Sequence, residues 1–436
     1  MALDIDVIKH ANMSQTQLQI WIAQMLRRRS PMYNMGMGIE IRADLDAELF
    51  RSAFDLVIRA SDSMRSVFRY ADGGPVRAVL QPAELEYEVP VLDYSGKPDD
   101  AMHWMREQMR QPFNLTNRAF DSALLRTGPE SFTWFISKHH LICDGWSFAN
   151  FTDWVGNKYG ELEAGDDSKP QIPQYQDFVD REILYYASDA CRQSAEYWDE
   201  LASEPLPPLA LYGRSTDNAS TENTRVHRQL SGDLVELMEN AVTSKHFRAF
   251  SKDQGMYLLL LSAMVVALNV ASNNDRFSLA VCLHNRVTTD DKTALGTYFI
   301  HSALRAKLEA ADSFAQLYRR ISKDYRQVLR HYRHPVSTPP GERVWDATVN
   351  YVNKTFPDFA GRRTHVHWLR SGRCSAEELI GLQLHRFNGG DGLEAEWDFN
   401  LGMFPDAANR DQFGSDFEQA IKSGIENPDT ALERLW

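Results

Sequence analysis

Two adjacent histidines, followed four residues later by Asp-Gly, are the feature that most restricts the structure of this chain: His139, His140, Asp144 and Gly145. An apolar run over residues 132–136 predicts a strand that leads into this segment, and a helical pattern follows it. Neighbouring side chains of a strand point to opposite faces, so the two histidines are expected to have different roles. One can face a cavity, where a neutral imidazole can take up a proton near pH 7, while the other is held in the structure. Gly145 is expected to let the chain turn sharply.

Composition is typical of a globular protein with two lobes. The chain has 436 residues, many for one core, of which 43% are hydrophobic and 25% charged. The net charge of −13 argues against a nucleic-acid partner, and the longest apolar run, residues 256–270, is too short to span a bilayer. The 4 scattered cysteines argue for a reducing compartment and against a zinc cluster, and the acidic N-terminus lacks the features of a signal peptide. We therefore predict a cytoplasmic protein with no metal and no membrane contact.

Hydrophobic periodicity predicts a mixed α+β fold with a similar rhythm of helices and strands in both halves. One long helix is predicted over residues 178–201. The polar segment that ends at Pro173 contains two prolines and is interpreted as the linker between the lobes. The predicted division is an N-terminal lobe over residues 1–173 and a C-terminal lobe over residues 174–436.

Further short motifs lie on both sides of the two histidines. In chain order they are Ser14-x-x-Gln17-x-x-x-Trp21, residues 64–68, Trp146-Ser147 directly after Gly145, residues 175–178, Tyr197-Trp198, His284-Asn285-Arg286, residues 295–305, His331-x-x-x-Pro335 and Val349-Asn350-Tyr351. In this order they resemble the condensation domain of non-ribosomal peptide synthetases, in the superfamily of acyltransferases related to chloramphenicol acetyltransferase. The resemblance extends over nearly the whole chain, and its core is His-His-x-x-x-Asp-Gly-Trp-Ser.

The resemblance implies an α+β fold in which two chloramphenicol acetyltransferase-like lobes form a V-shaped pseudo-dimer with a central tunnel. It implies an acyltransferase that passes an acyl or aminoacyl group from a carrier-protein thioester to an amine, forming an amide (peptide) bond. The 4′-phosphopantetheine arm would be supplied by acyl or peptidyl carrier proteins, so no cofactor is expected on this chain. The acceptor would be a small molecule or a carrier-bound amino acid, and a monomer is expected.

The resemblance also assigns roles within the His-His segment. His140 would face the tunnel and either accept the proton of the attacking amine or stabilise the charged tetrahedral intermediate, whereas His139 would be structural. Asp144 would form a structural ion pair with an arginine, for which Arg286 is the first candidate and Arg65 the second. Capping of the following helix is the local alternative for Asp144.

Four further positions are expected at the tunnel wall. Trp146 and Ser147 would shape the wall beside the two histidines. Asn350 would hold the nucleophile or the thioester arm, although bonding to a neighbouring backbone group is equally compatible with the sequence. Ser302, in the segment 295–305, is expected to contact the substrate.

The chain departs from the family pattern in places that concern the substrate more than the activity. Ile300 and His301 stand where the family usually has Asn-Thr, and Thr16 replaces a usual alanine. The second interpretation is an ester-forming acyltransferase that uses an alcohol acceptor in a polyketide or hybrid pathway, because such enzymes share the core motif and the length. A recruitment domain without catalysis is the third, and the retained second histidine argues against it. The protein is expected to be either free-standing or the N-terminal condensation domain of a synthetase module.

Basic residues predict where acidic carrier proteins would dock. On the helix predicted over residues 313–332, steps of three or four residues bring a row of basic side chains to one face: Arg319, Lys323, Arg326, Arg330 and Arg333. Arg28, at the end of the first helix, would serve the other mouth of the tunnel. A solvated helix face without a partner is the alternative interpretation.

Overall fold

The computed structural model describes residues 9–71, 73–309, 311–334 and 344–434. Its helices are α1 (Gln15–Leu26), α2 (Ala47–Ala60), α3 (Pro98–Met109), α4 (Gly145–Glu163), α5 (Gln176–Tyr186), α6 (Asp189–Ala202), α7 (Gly232–Ala241), α8 (Lys252–Ser272), α9 (Thr289–Thr293), α10 (Phe314–His331) and α11 (Ala407–Glu426). Its strands are β1 (Asn34–Ile41), β2 (Ser66–Ala71), β3 (Gly74–Val79), β4 (Val91–Asp93), β5 (Phe120–Gly128), β6 (Ser131–His139), β7 (Ala210–Leu211), β8 (Arg214–Ser215), β9 (Asn223–Leu230), β10 (Arg276–His284), β11 (Phe299–Lys307), β12 (Ala347–Val352), β13 (Thr364–Leu369), β14 (Ile380–His385) and β15 (Leu393–Asn400). Among the described residues there are also short 3-10 helices at Pro82–Glu84, Thr216–Asn218 and Leu432–Arg434.

The first lobe is built on a five-stranded sheet in the order β13-β1-β6-β5-β4. Strand β6 is central and leads directly into the two histidines, and helix α4 begins six residues after the strand ends. Helix α1 begins at the N-cap Ser14, whose side chain and that of Gln17 form the predicted capping box. One hydrophobic cluster, with Trp134 of β6 and Phe151 of α4 among its buried members, joins this sheet to its helices.

The second lobe is built on a six-stranded sheet in the order β11-β10-β12-β14-β15-β9. One face of this sheet, with Leu279, Val281 and Val349, packs on the largest hydrophobic cluster together with α8. Helix α8 is long and apolar enough to cross a membrane by length and composition, but 83% of its most apolar window is buried inside the protein. The prediction that this run is too short to span a bilayer is wrong, because the helix extends to 21 residues.

Strand β13 joins the two lobes. It comes from the C-terminal half of the chain and pairs antiparallel with β1, with Gly36 opposite Leu369, at the edge of the first sheet. Phe356 and Phe359, also from the C-terminal half, lie in the core of the first lobe. The division of the chain at residue 173 stays a prediction, and the segment 356–369 would be an exception to it.

One predicted element differs from the structure. The single helix expected over residues 178–201 is two helices, α5 and α6, and the prediction is wrong at this point. Ser188 caps the second helix by accepting a hydrogen bond from the Cys191 amide at 3.3 Å. A serine at an N-cap satisfies a backbone donor that a continuous helix would not leave free, so the break is stable.

Candidate functional site at the lobe interface

His139, the last residue of β6, is held within the first lobe. It is buried, and its Nδ1 accepts a hydrogen bond from the Leu141 amide at 3.2 Å, which places the proton on Nε2. Nε2 then donates to the Gln24 side-chain oxygen at 3.1 Å. Burial lowers the pKa of this imidazole to about 3, so it is neutral at pH 7. Both ring nitrogens are thus occupied by the protein, and the arrangement leaves His139 no free atom for chemistry.

His140 carries its proton on the opposite ring nitrogen. Its Nδ1 lies 2.8 Å from the Cys143 carbonyl, which can only accept, so Nδ1 is the donor and Nε2 keeps a lone pair. The ring is half-buried and lies 4.4 Å, centroid to centroid, from the ring of Phe299 in the second lobe. Burial lowers the pKa of His140 to about 4, against a smaller opposing effect of Asp144. The result is a neutral imidazole with an available acceptor atom at the lobe interface.

Asp144 forms the ion pair with Arg286 and also caps α4. The nearest guanidinium nitrogen of Arg286 lies 3.0 and 3.2 Å from the two carboxylate oxygens, and both side chains are buried. One oxygen also accepts from the Ser147 amide at 2.7 Å, and the other accepts from the Tyr298 amide at 2.9 Å. Burial would raise the pKa of Asp144, but Arg286 and the two amides outweigh it and hold the pKa below its usual value. The two alternatives left open by the sequence, pairing and capping, are therefore both present.

Arg286 and Ser147 complete this buried connection between the lobes. Arg286 donates to the Ala294 carbonyl at 3.0 Å and to the Ser147 hydroxyl at 2.7 Å, and its guanidinium lies 4.0 Å from the centroid of the Tyr298 ring. The Ser147 hydroxyl donates to the Gly296 carbonyl and accepts from the Gly296 amide at 3.0 Å. All bonding positions of Ser147 are thus used by the protein, which leaves a substrate nothing to bind there.

Gly296 meets this network in a backbone conformation that favours glycine. Its φ is +151°, and a Cβ at this position would lie 2.1 Å from the ring of Tyr175. The Tyr175 hydroxyl donates to the Thr297 carbonyl at 2.7 Å, and its oxygen lies 2.9 Å from the Ser14 hydroxyl, which can donate to it. A side chain at Gly296 would therefore separate the segment 295–305 from the first lobe.

Gly145 does not have the role expected from the sequence. The sharp turn lies earlier, where the Ile142 amide donates to the His139 carbonyl at 3.0 Å, and Gly145 is the first residue of α4 with a φ that is not positive. The expectation of a turn at Gly145 is therefore wrong. A Cβ at this position meets no atom within 4 Å, so neither the backbone nor local packing requires a glycine.

The four predicted wall residues occupy different environments. Trp146 lies at the interface, with its indole N–H 3.1 Å from the Lys292 carbonyl and its ring 5.3 Å from that of His284. Asn350 lies on β12 and donates to the Gln383 side-chain oxygen at 2.7 Å on the neighbouring strand. Ser147 is buried in the network described above.

Ser302 is not brought to the interface. It is fully buried and pairs with Val281, whose side chain belongs to the core of the second lobe, so Ser302 points to the core face of the sheet. The expectation of a substrate contact at Ser302 conflicts with this register. Its neighbour His301 points to the interface instead, and the sequence reasoning missed it. The alternation of apolar residues along β10 and β11 could have indicated the correct face.

The remaining predicted arginines are placed as follows. Arg65, the second candidate partner of Asp144, donates instead to the Leu80 carbonyl within the first lobe. Four exposed side chains on α10 form one row, hereafter the basic stripe: Arg319, Lys323, Arg326 and Arg330. Arg333 is not part of it, because its guanidinium stacks on Tyr185 at 4.2 Å.

Arg28, after the end of α1, is exposed. Pro335, the end of the His-x-x-x-Pro motif, lies outside the described residues.

A metal site is absent from the described residues, 9–71, 73–309, 311–334 and 344–434. Within these ranges, no three His, Cys, Asp or Glu side chains lie close enough together to bind a metal ion. His367, one of two histidines that alternate on β13, bonds to Glu40 at 2.7 Å.

Comparison with known proteins agrees with this geometry. A family model described as a condensation domain matches residues 7–338. Among curated proteins, a dimodular nonribosomal peptide synthase of Bacillus subtilis (strain 168) is 25% identical over 91% of the chain, which spans 17% of that protein. The isonitrile lipopeptide synthase of Streptomyces coeruleorubidus is 25% identical over 95% of the chain, which spans 28% of it. The chain thus spans less than a third of either relative.

Solved structures show the same fold. The first condensation domain of the CDA synthetase superposes with a TM-score of 0.83 at 20% identity and covers 96% of this chain and 97% of its own. The starter condensation domain of rhizomide synthetase, in a mutant form in complex with C8-CoA and Leu-SNAC, superposes with a TM-score of 0.82 at 21% identity and covers 99% of this chain and 98% of its own. Both likenesses concern the fold alone, a mixed arrangement of helices and sheets of the chloramphenicol acetyltransferase type.

Proposed function

This chain belongs to the condensation-domain family, and on that premise we propose that it forms an amide bond between a carrier-bound acyl thioester and an amine. Condensation domains are acyltransferases of non-ribosomal peptide synthesis that act with carrier-protein domains and bind no cofactor of their own. The observation that carries the proposal is the tautomer of His140, because its Nδ1 is engaged by the Cys143 carbonyl and its Nε2 keeps a lone pair at the lobe interface.

The proposed chemistry begins when the amine nitrogen attacks the thioester carbonyl carbon. A C–N bond forms, the carbonyl oxygen becomes negative and the nitrogen becomes positive. Nε2 of His140 would accept a hydrogen bond from this nitrogen, and its proton as the intermediate collapses. As the oxyanion re-forms the C=O bond, the C–S bond breaks, and the departing thiolate takes the proton from His140, which returns to its neutral form.

The low pKa of His140 favours hydrogen-bond acceptance over lasting proton storage. Burial lowers the pKa of His140 to about 4, so the imidazole is neutral at pH 7. Its Nε2 lone pair is therefore available to the amine. The buried pair of Asp144 and Arg286 would have a structural role, because it fixes the turn that orients His140. The His140 ring itself is hydrogen-bonded to the Cys143 carbonyl and not to Asp144. We therefore propose His140 as the catalytic residue and Asp144 as a positioning residue.

Carrier docking is proposed on the basic stripe. The stripe is exposed and the chain as a whole carries a charge of −13, so an acidic carrier would meet local attraction only at such sites. Arg28 at the end of α1 is proposed as a contact for the second carrier. Action in the cytoplasm remains part of the proposal.

The function is tested with a panel of donors and acceptors. Carrier proteins loaded with fatty acyl groups, chosen by analogy with the C8 ligand of the rhizomide starter domain, are mixed with the protein and with aminoacyl carriers, free amines or alcohols. Intact-protein mass spectrometry then follows transfer of the acyl mass to each acceptor. We expect amide products with at least one amine acceptor, and esters alone would replace the proposal with the alcohol-acceptor reaction. Failure of every combination, with the carriers verified as loaded, would contradict both.

A further inference from the structure

The face of the six-stranded sheet that looks away from its core carries a polar wall. Val281 and Val349 point into the core of the second lobe, so their strand neighbours Cys282 and Asn350 point to the opposite face. Phe299 lies two residues before His301 on β11, so both side chains point to that same face, and Phe299 packs against the core of the first lobe. Four half-buried side chains form this inner wall: Cys282, His301, Asn350 and Gln383.

His301 is connected to His140 through the ring of Phe299. It stands directly opposite Cys282 across the β10–β11 pair, so the two side chains share one face. Its ring lies 4.9 Å from the ring of Phe299, which in turn lies 4.4 Å from the ring of His140. The centroid of its ring also lies 5.6 Å from that of Trp345, with the two rings nearly perpendicular. Phe299 is thus flanked by two imidazoles, one from each lobe.

The polar atoms of His301 have no protein partner in the part of the chain that the structure describes. The Cys282 thiol is a weak hydrogen-bonding group, and burial raises its pKa, so it stays uncharged. Asn350 and Gln383 satisfy each other at 2.7 Å. A half-buried imidazole that lacks a partner in the protein remains free to bond to a bound molecule.

The surroundings of His301 suit a neutral group. Burial lowers the pKa of this imidazole to about 4, with a smaller contribution from His140, so the ring is neutral at pH 7 and offers one donor and one acceptor. Its ring neighbours, Phe299 and Trp345, carry no charge. Glu378, whose charge acts on Cys282, is paired with Arg370 at 3.5 Å. A carboxylate or ammonium of the substrate would be desolvated beside these uncharged rings, and Glu378 is already paired with Arg370, so burial of such a charge here would be costly.

We propose that His301 is a specificity-determining residue that hydrogen-bonds a neutral hydroxyl or amide group of the substrate and so selects such substrates over apolar ones of the same shape. The inference rests on the proposed acyl transfer, because it names the substrate class of that same site. The polar group could belong to the acceptor side chain or to the acyl donor. A site that hydrogen-bonds its ligand disfavours the analogue without the polar group, since the imidazole is then left desolvated and unpaired.

The test uses pairs of substrates that differ in one polar group. The acceptor arm compares threonyl with valyl and asparaginyl with leucyl carriers, and the donor arm compares 3-hydroxyacyl with unsubstituted acyl carriers. Wild type, His301→Gln and His301→Phe are assayed for kcat and KM, with His103→Phe on the exposed face of α3 as the control. Affinities of unreactive amide analogues of the same substrates are measured by calorimetry, which reports binding even where no transfer occurs.

We expect the polar member to be preferred by roughly 3- to 10-fold in one arm, the range of a single net hydrogen bond. His301→Phe should abolish this preference, His301→Gln should retain most of it, and His103→Phe should not change it. An equal preference in wild type and His301→Phe, or none in wild type in either arm, would overturn the inference. Calorimetry separates the two proposals, because selective binding without transfer contradicts only the acyl transfer, and transfer without selectivity contradicts only the role of His301. If His301→Phe does not fold, His301→Leu replaces it.

Discussion

Asp144 and Arg286 are 142 residues apart in the chain, and their side chains meet in a buried ion pair with N–O distances of 3.0 and 3.2 Å. The pair fastens the turn that carries His140 to the segment that follows β10. The Asp144 oxygens are bonded to Arg286 and to the amides of Ser147 and Tyr298, whereas the His140 ring bonds to the Cys143 carbonyl.

The first prediction concerns this pair. Asp144→Ala or Arg286→Met leaves one buried charge without its partner and should lower the free energy of unfolding by about 3 to 5 kcal/mol. The double variant should lose clearly less than the sum of the single variants, because no lone charge remains. Urea unfolding of the four proteins measures this. Additive single effects would show that the two charges do not depend on each other.

The second prediction concerns acid stability. Burial lowers the pKa of His385 to about 3, below the value of about 6.5 expected in the unfolded chain. Below pH 6.5 this histidine is protonated in the unfolded state but not in the folded state. The free energy of unfolding therefore falls as the pH drops toward 3, by up to about 1.4 kcal/mol per pH unit for this group. In His385→Phe this loss should be absent, and its unfolding free energy should gain on wild type between pH 6.5 and 4. Parallel curves for the two proteins, from urea unfolding at constant ionic strength, would refute the assignment.

The third prediction concerns Lys138, whose ammonium is enclosed 3.5 Å from the ring centroid of Phe151 and 4.8 Å from that of Phe148. Burial lowers the pKa of this lysine to about 8, below the value of about 10.4 for a free side chain. At pH 7 the folded state therefore holds a poorly solvated charge. Lys138→Met should raise the free energy of unfolding at pH 7 by about 1 to 3 kcal/mol, and the gain should shrink as the pH rises from 8 to 10. A less stable variant at pH 7 would mean that the contacts of the cation with the rings outweigh its desolvation.

The fourth prediction concerns the basic stripe. Reversal of two of its charges, Arg326→Glu with Arg330→Glu, should raise the apparent KM for a carrier-bound substrate by about tenfold at low salt, because such charges accelerate encounter. The effect should fade at high salt, and turnover of a small thioester should be unchanged. Arg106→Glu with Arg110→Glu is the matched control, because both arginines are exposed at the same spacing, Arg106 in the last turn of α3 and Arg110 directly after it. Equal effects of the two pairs would reduce the stripe to a solvated helix face.

Much of the fold could be predicted because its signals are local. The capping box of Ser14 and Gln17 and the strand before His139 depend on neighbouring residues, and both are present. The break between α5 and α6 was missed because apolar residues continue on one side of Ser188 and mask a single cap. The edge position of β13 could not be read from the sequence, since pairing with β1 depends on how the second lobe closes.

The residues of the candidate site could be predicted only where they belong to a recognisable sequence motif. Arg286 was indicated as the partner of Asp144 by its motif, and the pair is present. Ser302 and His301 show the limit, because a shift of one residue along β11 exchanges the core face and the interface. The tautomers of the two histidines depend on the Cys143 carbonyl and the Leu141 amide, and no sequence pattern encodes those contacts.

The central claim, that Nε2 of His140 takes part in acyl transfer, is tested most directly by single-turnover kinetics. Wild type and His140→Ala, each saturated with an acyl carrier, are mixed with the amine acceptor, and the product is quantified by mass spectrometry. We predict a rate about 10²- to 10⁴-fold lower in the variant, the usual contribution of a positioned proton acceptor, with an unchanged melting temperature. His139→Ala should instead lower the melting temperature, because it removes a buried bond to Gln24. A His140→Ala rate within a few fold of wild type would contradict the account.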